Sequence, residues 1–126
     1  MKKIIHTTNA PAAIGPYSQA VEANGILFIS GQVAINPQTG KVTEGGITEQ
    51  TEQVMKNIGA ILKEAGYDFM DVIKSTCLLS DMANFADMNA IYGKYYPENP
   101  PARAAFAVKE LPLNVMIEIE TIAAKG

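Results

Sequence analysis

One arginine stands in a chain that otherwise uses nine lysines, and it lies in NPPARAAFAV, just past a double proline and at the entry to an apolar run. The guanidinium of Arg103 offers a planar fork of donors that matches both oxygens of a carboxylate, a task the point charge of lysine performs less specifically. The prolines before it restrict the backbone and withhold two amide donors, so the entry to that run is stiff. Two uses suit such a side chain. It can pair with a structural acid or cap a contact between subunits, or it can grip a small organic anion, and composition leaves both open.

The segment VMIEIETI supplies a second group with chemistry in it. Alternation places Met116, Glu118, Glu120 and Ile122 on one side of a strand and Val115, Ile117, Ile119 and Thr121 on the other. On an edge strand the two glutamates would be ordinary protection against unwanted pairing. Lining a cleft, Glu118 can orient a water and exchange a proton with it while Arg103 holds an anionic substrate. The short LPLN connection suggests adjacent antiparallel strands for the two residues, and a meeting across a subunit boundary would serve equally well.

Three further places carry weaker signals. Tyr17 follows Gly-Pro at a strand entrance, where an aromatic either packs or forms a pocket wall with its hydroxyl inward. Ser30-Gly31 combines a hydrogen-bonding hydroxyl with a residue that permits close approach, without the base that a nucleophile elbow requires. Asn89 falls on a helix, where its amide recognises a polar group or bonds locally.

Several chemistries have no support. His6 is the sole histidine and Cys77 the sole cysteine, so there is no histidine-rich metal site, and no recognised motif places the two as a Cys/His catalytic pair. The glycines of NPQTGKVTEGG form no phosphate-binding pattern, so a nucleotide cofactor is not expected. A net charge of −3 without a basic stripe disfavours nucleic acid. A lone cysteine in an apolar segment, with no stretch of signal or membrane-span length, leads us to expect a soluble protein of the reducing cytoplasm.

The elements that must position these residues are written in the periodicities. With 126 residues, 48% of them hydrophobic, the chain is expected to form a single domain over residues 1–126. A short strand over Lys2–Thr7 precedes a hairpin turning at Asn24-Gly25, and apolar spacing from Ile47 predicts a helix ending at Gly66. A strand toward Leu79 leads through Asp81, a helix cap, into a second helix carrying Met82, Phe85, Met88, Tyr92 and Tyr95. Strands over 103–108 and 115–123 close the order. The economical architecture is an α+β domain with two helices on one face of a mixed sheet. Both sides of GILFISGQVAI and VMIEIETIA are apolar, so the face without helices is expected to be covered by self-association.

At NAPAAIGPYSQA, FISGQVAINPQTG and above all PPARAAFAVKELP followed by VMIEIETIA, the chain resembles the RidA-like reactive-intermediate (enamine/imine) deaminase family over nearly its whole length. That resemblance implies a chorismate-mutase-like fold assembled as a homotrimer with clefts between neighbouring subunits. It implies hydrolysis, without a cofactor, of short 2-imino acids such as 2-iminobutanoate and 2-iminopropanoate to 2-oxo acids and ammonia. Arg103 then resembles the carboxylate-binding arginine, Glu118 the acid that positions water, and Tyr17, Ser30, Gly31 and Asn89 the pocket residues. Some relatives carry a cysteine two residues beyond the arginine, and here that place is Ala105. A non-enzymatic protein that uses the same clefts to bind a small anion would make the same demand on Arg103 and none on Glu118.

Overall fold

The computed structural model describes residues 1–125. Strands β1 (Lys3–Ile5), β2 (Ala20–Ala23) and β3 (Ile26–Gln32) come first, followed by the two-residue strands β4 (Ile35–Asn36) and β5 (Lys41–Val42). Helix α1 (Ile47–Ala65), strand β6 (Val72–Leu79), helix α2 (Phe85–Tyr92), and strands β7 (Ala102–Ala107) and β8 (Ile117–Ala124) complete the order. The main sheet runs β1-β2-β3-β8-β6-β7, while β4 and β5 pair separately around the NPQTG turn. Pairing in the main sheet is antiparallel except between β6 and β7.

Local chemistry accounts for the boundaries. Asn24 and Gly25 both hold positive φ, 52° and 75°, which is the twist a two-residue hairpin between β2 and β3 requires. Gly66 ends α1 in the left-handed region, and at its start the Glu49 side chain accepts the Gly46 amide N–H at 2.8 Å. Asp81 caps as expected, its carboxylate accepting the Ala83 N–H at 2.8 Å. What it caps is a short 3₁₀ turn, Met82–Asn84, and a second such turn follows α2, so the regular α-helix is shorter than its apolar spacing predicts.

The core lies between the helices and one sheet face. Val54, Met55, Ile58, Ile61 and Leu62 of α1 are buried against Cys77 and Leu79 of β6 and Ile117, Ile119 and Ala123 of β8. Burial of each large aliphatic side chain is worth about 1.5–3 kcal/mol, so this layer fixes which way every strand faces. The other face carries no helix. Phe28 and Phe106 are 48% and 47% exposed there, beside half-buried Leu78 and Ile122 and exposed Lys74 and Glu120. No helix among the described residues is long and apolar enough to cross a membrane.

Candidate active site

Strand β8 sits between β3 and β6, so Glu118 and Glu120 belong to a central strand and edge protection does not explain them. Their side falls on the open face, because the alternating Ile117, Ile119 and Thr121 are buried under the helices. Opposite them, β3 contains a bulge. Ile29 pairs with Thr121 and Gln32 with Ile119, leaving Ser30 and Gly31 against Glu120 alone.

The bulge makes room for a carboxylate. A Cβ placed on Gly31 would come within 2.9 Å of the Glu118 carboxyl carbon, so only glycine lets that side chain lie over the strand. Burial raises the Glu118 pKa above the usual carboxylate range, and the nearby charge of Glu120 adds to the effect. Glu118 and Gly31 line a cleft of about 680 Å³ together with Ser30, Tyr17, Ile14 and Leu113. Tyr17 is 53% exposed, so it forms wall and not core. Ser30 donates its hydroxyl to the Ser18 carbonyl at 2.6 Å, which shapes the strand entrance and spends the donor on the backbone and not on a ligand. Phe106 lies away from this cleft on the open sheet face.

Arg103 is found on the other side of the sheet. It pairs in register with Ser75, whose side chain is buried under the helices, and its guanidinium reaches α2. There its Nη1 donates to Asn89 Oδ1 at 2.6 Å, and its carbon lies 5.0 Å from the ring centre of Tyr92 and 5.4 Å from that of Phe85. Asn89 therefore holds the arginine instead of bonding locally within its helix. The aromatic pair was missed from sequence although a signal exists: residues 85, 89 and 92 share one helix face at i, i+4, i+7 spacing. Among the described residues the guanidinium's side-chain hydrogen bond is to this amide and not to a carboxylate, so its fork stays available.

Arg103 and Glu118 do not occupy adjacent antiparallel strands. β6 lies between them, Arg103 opposite Ser75 and Glu118 opposite Leu78. Two strand spacings and three residues of offset put their Cα atoms roughly 14 Å apart, with side chains on opposite faces. The physical reason is the β6-α2-β7 crossover, which docks β7 parallel on the free side of β6 and forces the next connection to step over the end of that strand. Val108 N–H bonds to Leu79 O at 2.9 Å and Ser80 N–H to Met116 O at 3.0 Å along this step.

Two groups thus look outward from opposite faces of one sheet, a guanidinium held by α2 on the helix side and a raised-pKa carboxylate in a cleft on the other. No group of three or more His, Cys, Asp or Glu side chains among the described residues is arranged to hold a metal. Residues 7–125 match the family described as Endoribonuclease L-PSP. The mouse 2-iminobutanoate/2-iminopropanoate deaminase is 50% identical over 126 residues, spanning 100% of this chain and 93% of the mouse protein.

The chain belongs to the RidA-like reactive-intermediate deaminase family.

A RutC family protein of Pyrococcus horikoshii is 54% identical over 125 residues, 99% of either chain. Among solved members of the family, the crystal structure of E. coli TdcF with bound serine superposes with a TM-score of 0.94 at 37% identity, covering 98% of this chain and 99% of that one. The α+β fold with a mixed sheet and two helices is therefore the fold of the RidA-like family, as the sequence resemblance implied.

Proposed function

We propose that this protein, as one domain over residues 1–126, hydrolyses short 2-imino acids and their enamine tautomers, 2-iminobutanoate and 2-iminopropanoate foremost, to 2-oxo acids and ammonia. It does so as a homotrimer in which each site combines the Arg103 half of one protomer with the Glu118 half of its neighbour. The observation that carries this reading is the placement of the two groups on opposite faces of one sheet, which makes each half useless without a second copy. The apolar open face supplies the surface for such an assembly. The names of the mammalian relatives supply the reaction class.

Arg103 grips the substrate carboxylate in a bidentate pair, its fork aimed by Asn89 and the two aromatic rings. With the C=N group protonated, its carbon is electrophilic; water held by Glu118 adds to it and gives up a proton to the carboxylate. The resulting carbinolamine takes that proton back at nitrogen; as the C–N bond breaks, its hydroxyl gives its proton to the Glu118 carboxylate, the C=O bond of the 2-oxo acid forms, and ammonia leaves, carrying that proton away as ammonium. Water is the only co-reactant and no cofactor takes part. Gly31 gives the Glu118 carboxylate its seat, Ser30 holds the strand entrance, and Tyr17 walls the cleft. No thiol enters: position 105 is alanine, and burial pushes the Cys77 thiol up to about 11 despite the nearby positive charge of Arg103. A free buried thiol suits a cytoplasmic setting.

Mixed trimers test the reading. Arg103→Ala and Glu118→Gln subunits, each inactive alone, should regain about one quarter of wild-type activity when unfolded together and refolded in equal amounts, because each composite site draws its halves from two different copies. No recovery in demonstrably mixed trimers would refute the shared site. Saturable 2-oxo-acid binding by wild type without any acceleration of imine breakdown would favour a regulatory protein that senses small anions. RNA cleavage, suggested by the name of the matched family, finds little footing in a chain of net charge −3.

A further inference from the structure

The connection from β7 to β8 passes through Pro112–Asn114, and within it Leu113 adopts φ 56°, ψ 19° and Asn114 φ 58°. Asparagine enters the left-handed region readily, whereas a leucine there works against its own Cβ. Nothing in the core rewards it, since Leu113 is 66% exposed. It lines the cleft instead, sharing that apolar wall with Ile14 and Tyr17. The turn that carries it is pinned: Asn114 N–H bonds to Leu111 O at 3.1 Å, Val115 N–H to Pro112 O at 3.2 Å, and Met116 N–H to the Gln50 side chain at 2.9 Å. A strained, exposed, apolar side chain on an anchored backbone, directed at the cavity that holds Glu118, is a feature whose placement calls for a role in that cavity.

We propose that Leu113 is the specificity-determining residue of this site, the end wall that limits how long an apolar substituent the imine carbon can carry. The inference rests on the imine-hydrolase reading for its substrate class. The strained backbone of Leu113 and its place in the wall of the Glu118 cleft do not depend on that class. Pro112 and the pinned backbone keep the wall from swinging away, so the limit is set by side-chain size.

The test is a chain-length series. Imino acids of three, four and five carbons are generated in situ by an amino-acid oxidase from alanine, 2-aminobutanoate and norvaline, and their hydrolysis is followed in wild type, Leu113→Gly and Leu113→Phe. Glycine accepts φ 56° without strain, so that variant keeps the turn and should melt no lower than wild type. The ratio of kcat/KM for five carbons over three should rise about tenfold in Leu113→Gly and fall in Leu113→Phe, the size of effect one or two methylenes produce in an apolar pocket. Ratios within twofold of wild type in both variants would overturn the inference. Calorimetric titration with the matching 2-oxo acids separates the two readings. A chain-length shift in Kd without imine hydrolysis by wild type defeats the deaminase reading and keeps Leu113. Hydrolysis by wild type with unmoved ratios defeats Leu113 alone.

Discussion

Seating the Glu118 carboxylate over Gly31, half-buried and beside Glu120, governs when it is charged. In the proposed reaction the carboxylate form takes the proton from water, and burial makes that form harder to reach, so the acid limb of kcat/KM should lie above the usual carboxylate range. Glu120→Gln removes the nearby like charge and should move that limb to lower pH, which a pH–rate profile would show; an unmoved limb would separate Glu118 from the titration. The same shift has a stability sign. A carboxyl whose folded pKa stands above its unfolded one supports the fold below the unfolded value, and loses that support as pH rises through the folded value. Glu118→Gln should therefore melt no lower than wild type at pH 7 while kcat/KM falls about 10²- to 10⁴-fold, the usual worth of a positioned acid or base. Residue types alone made Arg103 and Glu118 visible in the sequence, because a unique guanidinium and a carboxylate on an apolar strand are rare choices. The hydrogen bond of Ser30 and the backbone of Leu113 were not visible there. One hydroxyl is spent on a carbonyl twelve residues away, and a left-handed leucine carries no mark that distinguishes it from any other.

Helix α2 is brief, yet it cages the guanidinium through Phe85, Asn89 and Tyr92. Asn89→Ala should leave the fold intact, raise KM several-fold and change kcat less, because it frees the guanidinium to wander without removing its charge. Phe85→Leu should act in the same direction more weakly, given that an exposed cation–π contact is worth about 0.5–1 kcal/mol. Equal losses in kcat and kcat/KM with KM unchanged would mean that the cage serves the chemical step instead. Periodicity revealed both helices, the Asn24-Gly25 hairpin and the two faces of β8, since each is a local pattern. It could not reveal that β7 lies parallel to β6 and apart from β8. A crossover is set by what packs where in three dimensions, and the LPLN turn reads the same whether it joins neighbours or steps over a strand.

The open sheet face organises the molecule as a whole. Phe28, Phe106 and Ile122 lie there in the company of Lys74, Glu118 and Glu120, an apolar patch with few charges that suits an interface better than a solvent surface. Phe28→Lys should lower the sedimentation coefficient toward that of a monomer and abolish turnover, with the circular dichroism of the fold retained; a monomer at full activity would refute the shared site. Hydropathy on both sides of the strands announced this face in advance. The number of copies was not legible from the same pattern, because closure depends on the angle at which faces meet and not on how apolar they are. Under the proposed assembly, a protomer whose guanidinium and carboxylate look in opposite directions is inert by itself, and its output follows mass action. Specific turnover then falls on dilution and recovers on concentration, and the abundance of the protein becomes a threshold that decides whether its chemistry runs at all.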